Sequence, residues 1–155
     1  REAGVHVEVV NGITAGLAGP TALGLPLTHR DHAQGVVFIT GHNRPDGTAT
    51  DWRQLAATAH QARLTLVIYM GMSSAMRLQQ ELLAGLPSHT PVAIVQHASR
   101  PQQRHAITTL GQLHDCITLH GLASPSVIVV GDVVQGVAAL TGSGNTVGQA
   151  HALRA

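Results

Sequence analysis

Apolar residues along the chain fall into two patterns, short continuous runs and stripes spaced three or four positions apart. Residues 36–40, 64–69, 91–95 and 127–130 are runs rich in Val, Ile and Leu bounded by turn-forming residues, the pattern of strands buried on both faces. Between them, Leu55, Ala56 and Ala59 follow a candidate N-cap at Asp51 and predict a helix to about His60. Leu78, Leu82 and Leu83 follow Ser73 or Ser74 and predict a second, closed before Gly85. A third helix is predicted from about Leu110 to Leu119, and a small-residue helix at 14–23 with Pro20 inside it. Two weaker strands complete the set. One is the β-branched segment 5–10, stopped by Asn11-Gly12, and the other lies at 106–108, the one candidate for an antiparallel neighbour.

Strands alternating with amphipathic helices predict an α/β fold, with a mixed, mostly parallel sheet flanked by helices. A turn is expected at Pro45-Asp46-Gly47, and the small, polar tail 141–155 reads as a flexible end. Gly142 and Gly144 have the spacing of a dinucleotide fingerprint, but no helix and strand follow to complete one.

Composition narrows the function classes. The 155 residues are 44% hydrophobic and 11% charged, sufficient for a real core. A formal charge of +1 and 2% aromatics leave neither the basic footprint nor the stacking platforms of a nucleic-acid binder. The apolar runs fall far below the roughly 18 residues of a membrane helix, so neither membrane nor nucleic acid is expected as a partner. Cys116 is the sole cysteine and no secretory leader is seen, which makes the cytoplasm the default compartment. Every basic side chain other than histidine is arginine. That reflects either compositional drift or a substrate with several carboxylates, which guanidinium forks bind bidentately. The 11 histidines follow no ligand spacing, and although His29 and His32 lie close in sequence, no metal site is expected. No P-loop, nucleophile elbow or catalytic triad is legible.

In an open α/β sheet, ligands bind beyond the carboxyl ends of the strands. The loops expected there are 11–15, 41–44, 69–73, 96–100 and 131–133, several with glycine or other small residues that let a flat ligand approach the backbone. The most polar loop is Thr28-His29-Arg30-Asp31-His32. On the residues alone it is either a solvated connection or an anion-gripping loop.

Together these loops carry a resemblance. Val9-Val10-Asn11-Gly12-Ile13-Thr14-Ala15, then Gly24-Leu25-Pro26-Leu27-Thr28-His29-Arg30-Asp31 and Thr40-Gly41-His42, resemble the tetrapyrrole methylase family, most of all its branch acting on uroporphyrinogen III. Asp51-Trp52, Thr65-Leu66-Val67-Ile68-Tyr69-Met70-Gly71, Pro91-Val92-Ala93-Ile94-Val95 and Ile128-Val129-Val130-Gly131 extend it to about Leu140. The family usually has proline where Asn11 stands and often glycine at Ala98.

The resemblance implies transfer of two methyl groups from S-adenosylmethionine to uroporphyrinogen III. The products would be S-adenosylhomocysteine and precorrin-2, the latter leading to siroheme or cobalamin. It implies cofactor contacts at Thr14, Ala15, Met70 and Ala98, substrate contacts at Arg30, Thr28 and His29, and a homodimer. Residues 1–33 would end a first lobe, 34–140 would form a second, and 141–155 would be the tail. The family's glycine-rich loop, Gly-x-Asp motif and acid/base residues belong to its first half, so no catalytic residue is expected in this chain. The chain is expected to be a piece of a longer enzyme and inactive alone. A methylase of a later precorrin and a non-catalytic binding or dimerisation remnant are the alternatives.

Overall fold

The computed structural model describes residues 4–42 and 49–136, together with the backbone of 148–149. In chain order the elements are α1 (Ala15–Thr21), β1 (Gly35–Thr40), α2 (Trp52–Gln61), β2 (Leu64–Tyr69), α3 (Ala75–Leu82), β3 (Pro91–Gln96), β4 (Arg104–Thr109), α4 (Leu113–His120), β5 (Ser126–Val130) and β6 (Gly148–Gln149). Local chemistry sets several boundaries. The Thr14 hydroxyl accepts from the Gly16 amide at the start of α1, and the Asp51 carboxylate accepts from the Gln54 amide at 2.9 Å to cap α2. Gly121, at φ 56°, takes the left-handed turn that ends α4. Serine does not cap α3 as expected: a 3-10 turn at Met72–Ser74 leads into it, and Ser74 makes no side-chain cap bond.

The sheet order is β1-β2-β5-β3-β4-β6. Helices cover both faces, as the apolar pattern requires, but the expected predominance of parallel pairing is corrected. Only β1 and β2 pair in parallel, while β2–β5, β5–β3, β3–β4 and β4–β6 are all antiparallel. The reason is the position of β5, which arrives late in the chain, inserts between β2 and β3 and runs against both. Hydrophobic periodicity carries no information on strand direction. As a result β1, β2 and β3 point one way and β4 and β5 the other.

On one face α2, α3 and α4 bury Trp52, Leu78, Leu82 and Leu113 against Leu66, Ile68, Ile94 and Ile128. Each such large side chain contributes about 1.5–3 kcal/mol of transfer free energy. On the other face Leu25 and Ala33, from the segment following α1, pack on Val67, Ala93, Val127 and Val129. The strand expected at residues 5–10 does not form. Residues 4–13 have no regular structure, and Val5, Val7, Val9, Val10 and Ile13 are exposed. β-Branched residues suit a strand, but a strand requires a neighbour to bond to, and none of the described residues provides one. Within the expected flexible tail, Gly148 and Gln149 instead pair with His105 and Arg104. The remainder of that tail and the Pro45-Asp46-Gly47 turn lie outside the described residues. No helix among the described residues is long and apolar enough to cross a membrane.

Candidate functional site

Because β2 and β3 end on the same side of the sheet and β5 begins there, their loops enclose a cavity of about 370 Å³. Its apolar floor is Val95, Val127 and Pro125, and Ala15, at the start of α1, forms another wall. The small residues of α1 permit this approach. Gly19 sits so close to the sheet that a Cβ there would contact Val95 Cβ at 3.6 Å and Ala98 Cβ at 3.9 Å.

The rim is built from strained backbone. Met70, His97 and Ser99 have φ of 51°, 51° and 64°, a region that non-glycine residues adopt at a cost of about 1–3 kcal/mol each. Surrounding bonds hold these turns in place. The Ser99 amide donates to Gln103 Oε1 at 2.7 Å, with Gln103 itself buried, and the His97 amide donates to the Pro125 carbonyl at 3.1 Å. The second bond fastens the loop after β3 to the start of β5. At the end of β1, Gly41 approaches Gly71 so closely that a Cβ would lie 2.7 Å from Gly71 Cα. Thr14 Oγ1 and Tyr69 OH are 2.6 Å apart and share a hydrogen bond that ties the start of α1 to the end of β2. Gly16 makes that bond possible, since a Cβ there would overlap the Tyr69 hydroxyl and lie 2.8 Å from Tyr69 Cζ and 2.9 Å from Phe38 Cε1.

Three of the residues expected to contact a cofactor, Ala15, Met70 and Ala98, line this cavity, and Thr14 joins it through Tyr69. The structure therefore brings together four positions from three separate stretches of sequence. It does not bring the Arg30 loop to them. His29 forms a bridge with Ala33, its ring lies 4.9 Å from that of His32, and the Gln34 amide donates to the Arg63 carbonyl at the start of β2. Thr28, His29 and Arg30 are exposed there, at the end of the sheet where β2 begins, and none of them lines the cavity. The 131–133 loop also lies at that far end, because β5 is antiparallel to β2.

Sequence reasoning missed Tyr69 as the partner of Thr14, and it missed the wall formed by Ser124, Pro125 and Ser126. Those three precede a strand, and a rule that looks after strands does not find them. Among the described residues no carboxylate lines the cavity, and its charged or titratable groups are Arg100, His97 and Tyr69. The groups with displaced titration lie elsewhere. Burial lowers the pKa of His105, and burial raises that of the Cys116 thiol against a smaller opposing effect of a hydrogen bond with Thr108. The cavity can thus hold a flat or apolar ligand and hydrogen-bond its edge, but the described residues supply it with no acid/base pair.

Comparison with known proteins gives concordant matches. Residues 1–114 match the family model for Tetrapyrrole (Corrin/Porphyrin) Methylases. Over 134 residues the chain is 44% identical to a uroporphyrinogen-III C-methyltransferase of Pseudomonas fluorescens, covering 86% of this chain and 52% of that protein. It is 48% identical to siroheme synthase 1 of Aeromonas hydrophila over the same length, 28% of that longer protein. The chain thus spans about half of the first relative and a smaller share of the second. Among solved structures, a cobalt precorrin-4 methyltransferase superposes with a TM-score of 0.75 at 25% identity, over 86% of this chain and 55% of that one. A uroporphyrin-III C-methyltransferase from Thermus thermophilus, complexed with S-adenyl homocysteine, gives 0.67 at 33% identity, over 87% and 57%.

Proposed function

Because the chain belongs to the tetrapyrrole methylase family, we propose that it forms one wall of an S-adenosylmethionine-dependent enzyme that C-methylates uroporphyrinogen III to precorrin-2. The observation that carries this reading is the convergence of Thr14, Ala15, Met70 and Ala98 on one cavity. The residues present fit the cofactor. The volume lies within the usual range for small-molecule sites, the floor is apolar, and the small side chains of Ala15 and Ala98 keep the walls open.

When bound, S-adenosylmethionine supplies an electrophilic methyl group on sulfur for displacement by a ring carbon. The chain's own contribution is alignment and exclusion of water. Ala15, Met70 and Ala98 would hold the cofactor, and the Thr14–Tyr69 bond fixes α1 against the end of β2. The rim turn at Met70 presents backbone groups that a hydrogen-bonding edge can use, whereas the main chain of His97 is already bonded to Pro125 and Arg100. Removal of the ring proton is assigned to the half of the family fold that this chain does not include. Thr28, His29 and Arg30 are not assigned to this cleft, since they lie at the opposite end of β2. On the same reading residues up to 33 close the first lobe and 34–140 build the second, with Leu25 and Ala33 packed across that boundary. The assembled enzyme is expected to be a cytoplasmic homodimer, which sedimentation would check.

The test is calorimetric titration of S-adenosylhomocysteine into the chain joined behind the first half of the Pseudomonas fluorescens relative, with folding checked by circular dichroism. Saturable binding that is lost on Ala98→Arg supports the reading. Binding unaffected by Ala98→Arg, or none by the folded fusion, refutes it.

A further inference from the structure

A second cavity, of about 300 Å³, opens at the other end of the sheet, where β2 and β3 begin and β5 ends. Five stretches of chain bring polar groups to it. His32 comes from the loop before β1, His60 from the last turn of α2, and Arg63 from the turn into β2. His89 and Thr90 precede β3, and Asp132 follows β5.

Two features mark it as more than a surface dip. Thr90 is 5% exposed, and its main chain is fully used, the amide donating to Pro87 and the carbonyl accepting from Leu110. Thr90 thus enters the lining of the cavity on a backbone held at both its amide and its carbonyl. Arg63 is held at φ 52°, the one strained non-glycine position among the described residues that is not on the rim of the first cavity. Its carbonyl accepts from Gln34 at 2.8 Å, which pins the turn, while its exposed guanidinium has no carboxylate within ion-pair distance among the described residues.

The donor set decides the class of ligand. No group of three His, Cys, Asp or Glu side chains among the described residues is placed to hold a metal ion, so the histidines do not form a cation site. Arginine offers a fork of donors, each imidazole offers at least one N–H whether neutral or charged, and the Thr90 hydroxyl adds another. Against these donors stands one carboxylate among the described residues, Asp132. An oxyanion that keeps a proton satisfies both sides, with its bare oxygens accepting from the donors and its own O–H donating to Asp132. Hydrogen phosphate and a protonated phosphomonoester meet that requirement, and sulfate, which carries no proton near neutral pH, does not.

We propose that this cavity is a phosphoryl-binding site, distinct from the cofactor cleft and separated from it by the length of the sheet. Inorganic phosphate, titrated into the chain at constant ionic strength with sulfate in parallel, is followed by NMR of the imidazole protons. His97 in the other cavity is the internal control. Phosphate should move the His32, His60 and His89 resonances saturably and leave His97 in place, with sulfate weaker by about tenfold or more. Arg63→Gln should weaken phosphate by a similar factor, and Asp132→Asn should abolish the preference over sulfate. An unchanged His97 resonance shows that each variant is folded. Glycerol 3-phosphate identifies the source: tighter binding than phosphate points to a monoester, and equal binding to the free ion. Equal responses to phosphate and sulfate, a response that does not saturate, or an unweakened response in folded Arg63→Gln would overturn the proposal.

Discussion

Replacing Gly16 with alanine tests how the first cavity is built. In the first turn of a helix, glycine to alanine by itself favours folding by up to about 1 kcal/mol. Here the added methyl group would overlap the Tyr69 hydroxyl and lie 2.8 Å from Tyr69 Cζ and 2.9 Å from Phe38 Cε1. Phe38 is 45% exposed and can swing away, whereas Tyr69 can move only by giving up its 2.6 Å hydrogen bond with Thr14. Overpacking of this kind costs about 1–3 kcal/mol and a lost hydrogen bond about 0.5–1.5 kcal/mol. After the helix gain is subtracted, the substitution should destabilise by about 2 kcal/mol. For a chain of this size that is a fall of roughly 4–8 °C in the thermal midpoint. Thermal unfolding of wild type, Gly16→Ala, Tyr69→Ala and the double variant closes a cycle. Once Tyr69 is truncated, the alanine should be neutral or stabilising, a coupling of at least about 1 kcal/mol. A stabilised Gly16→Ala, or an equal penalty with Tyr69 absent, would show that α1 does not depend on this contact.

Two further outcomes follow from the displaced titrations. Burial depresses the pKa of His105, so the unfolded chain takes up that proton more readily. Its contribution to stability is therefore complete above the unfolded value near 6.5 and is lost as pH falls through it. The urea midpoint should drop more between pH 7.5 and 5.5 in wild type than in His105→Asn, and equal drops would refute the assignment. Cys116 is buried and its thiolate disfavoured, so a thiol reagent at mildly alkaline pH should label it only at the rate of unfolding. Rapid stoichiometric labelling of the native chain would contradict that packing.

The elements were legible where pattern and packing agree. Leu64–Tyr69 forms β2 over the whole expected run, because all its side chains find cover and Gly71 ends it. Residues 5–10 show the opposite case. Their alternation describes what the segment is able to do, and the partner that would realise it is absent from the described residues. Strand direction was not legible either, since Val127, Val129 and Val130 would bury equally well in either orientation. That same ambiguity hid part of the site. Ala15, Met70 and Ala98 were named through the family resemblance, and Met70 and Ala98 also lie in loops that follow strands as expected, while Ser124–Ser126 reach the cavity only because β5 is reversed. The Arg30 loop is polar and specific in composition, yet composition does not say at which end of the sheet a loop will lie.

The late arrival of β5 has a consequence for how the chain is made. Until residues 126–130 emerge from the ribosome, β2 and β3 have no backbone bond joining them, and the growing polypeptide holds two separate hairpin-sized pieces, β1–β2 and β3–β4. Each piece has an unpaired apolar edge, the kind of surface that invites association with other nascent chains. The first cavity shares this delay, because part of its wall belongs to β5. A chain stopped just before Ser126 would therefore possess nearly all of its helices and most of its strands, and still lack both a closed sheet and a place for a ligand.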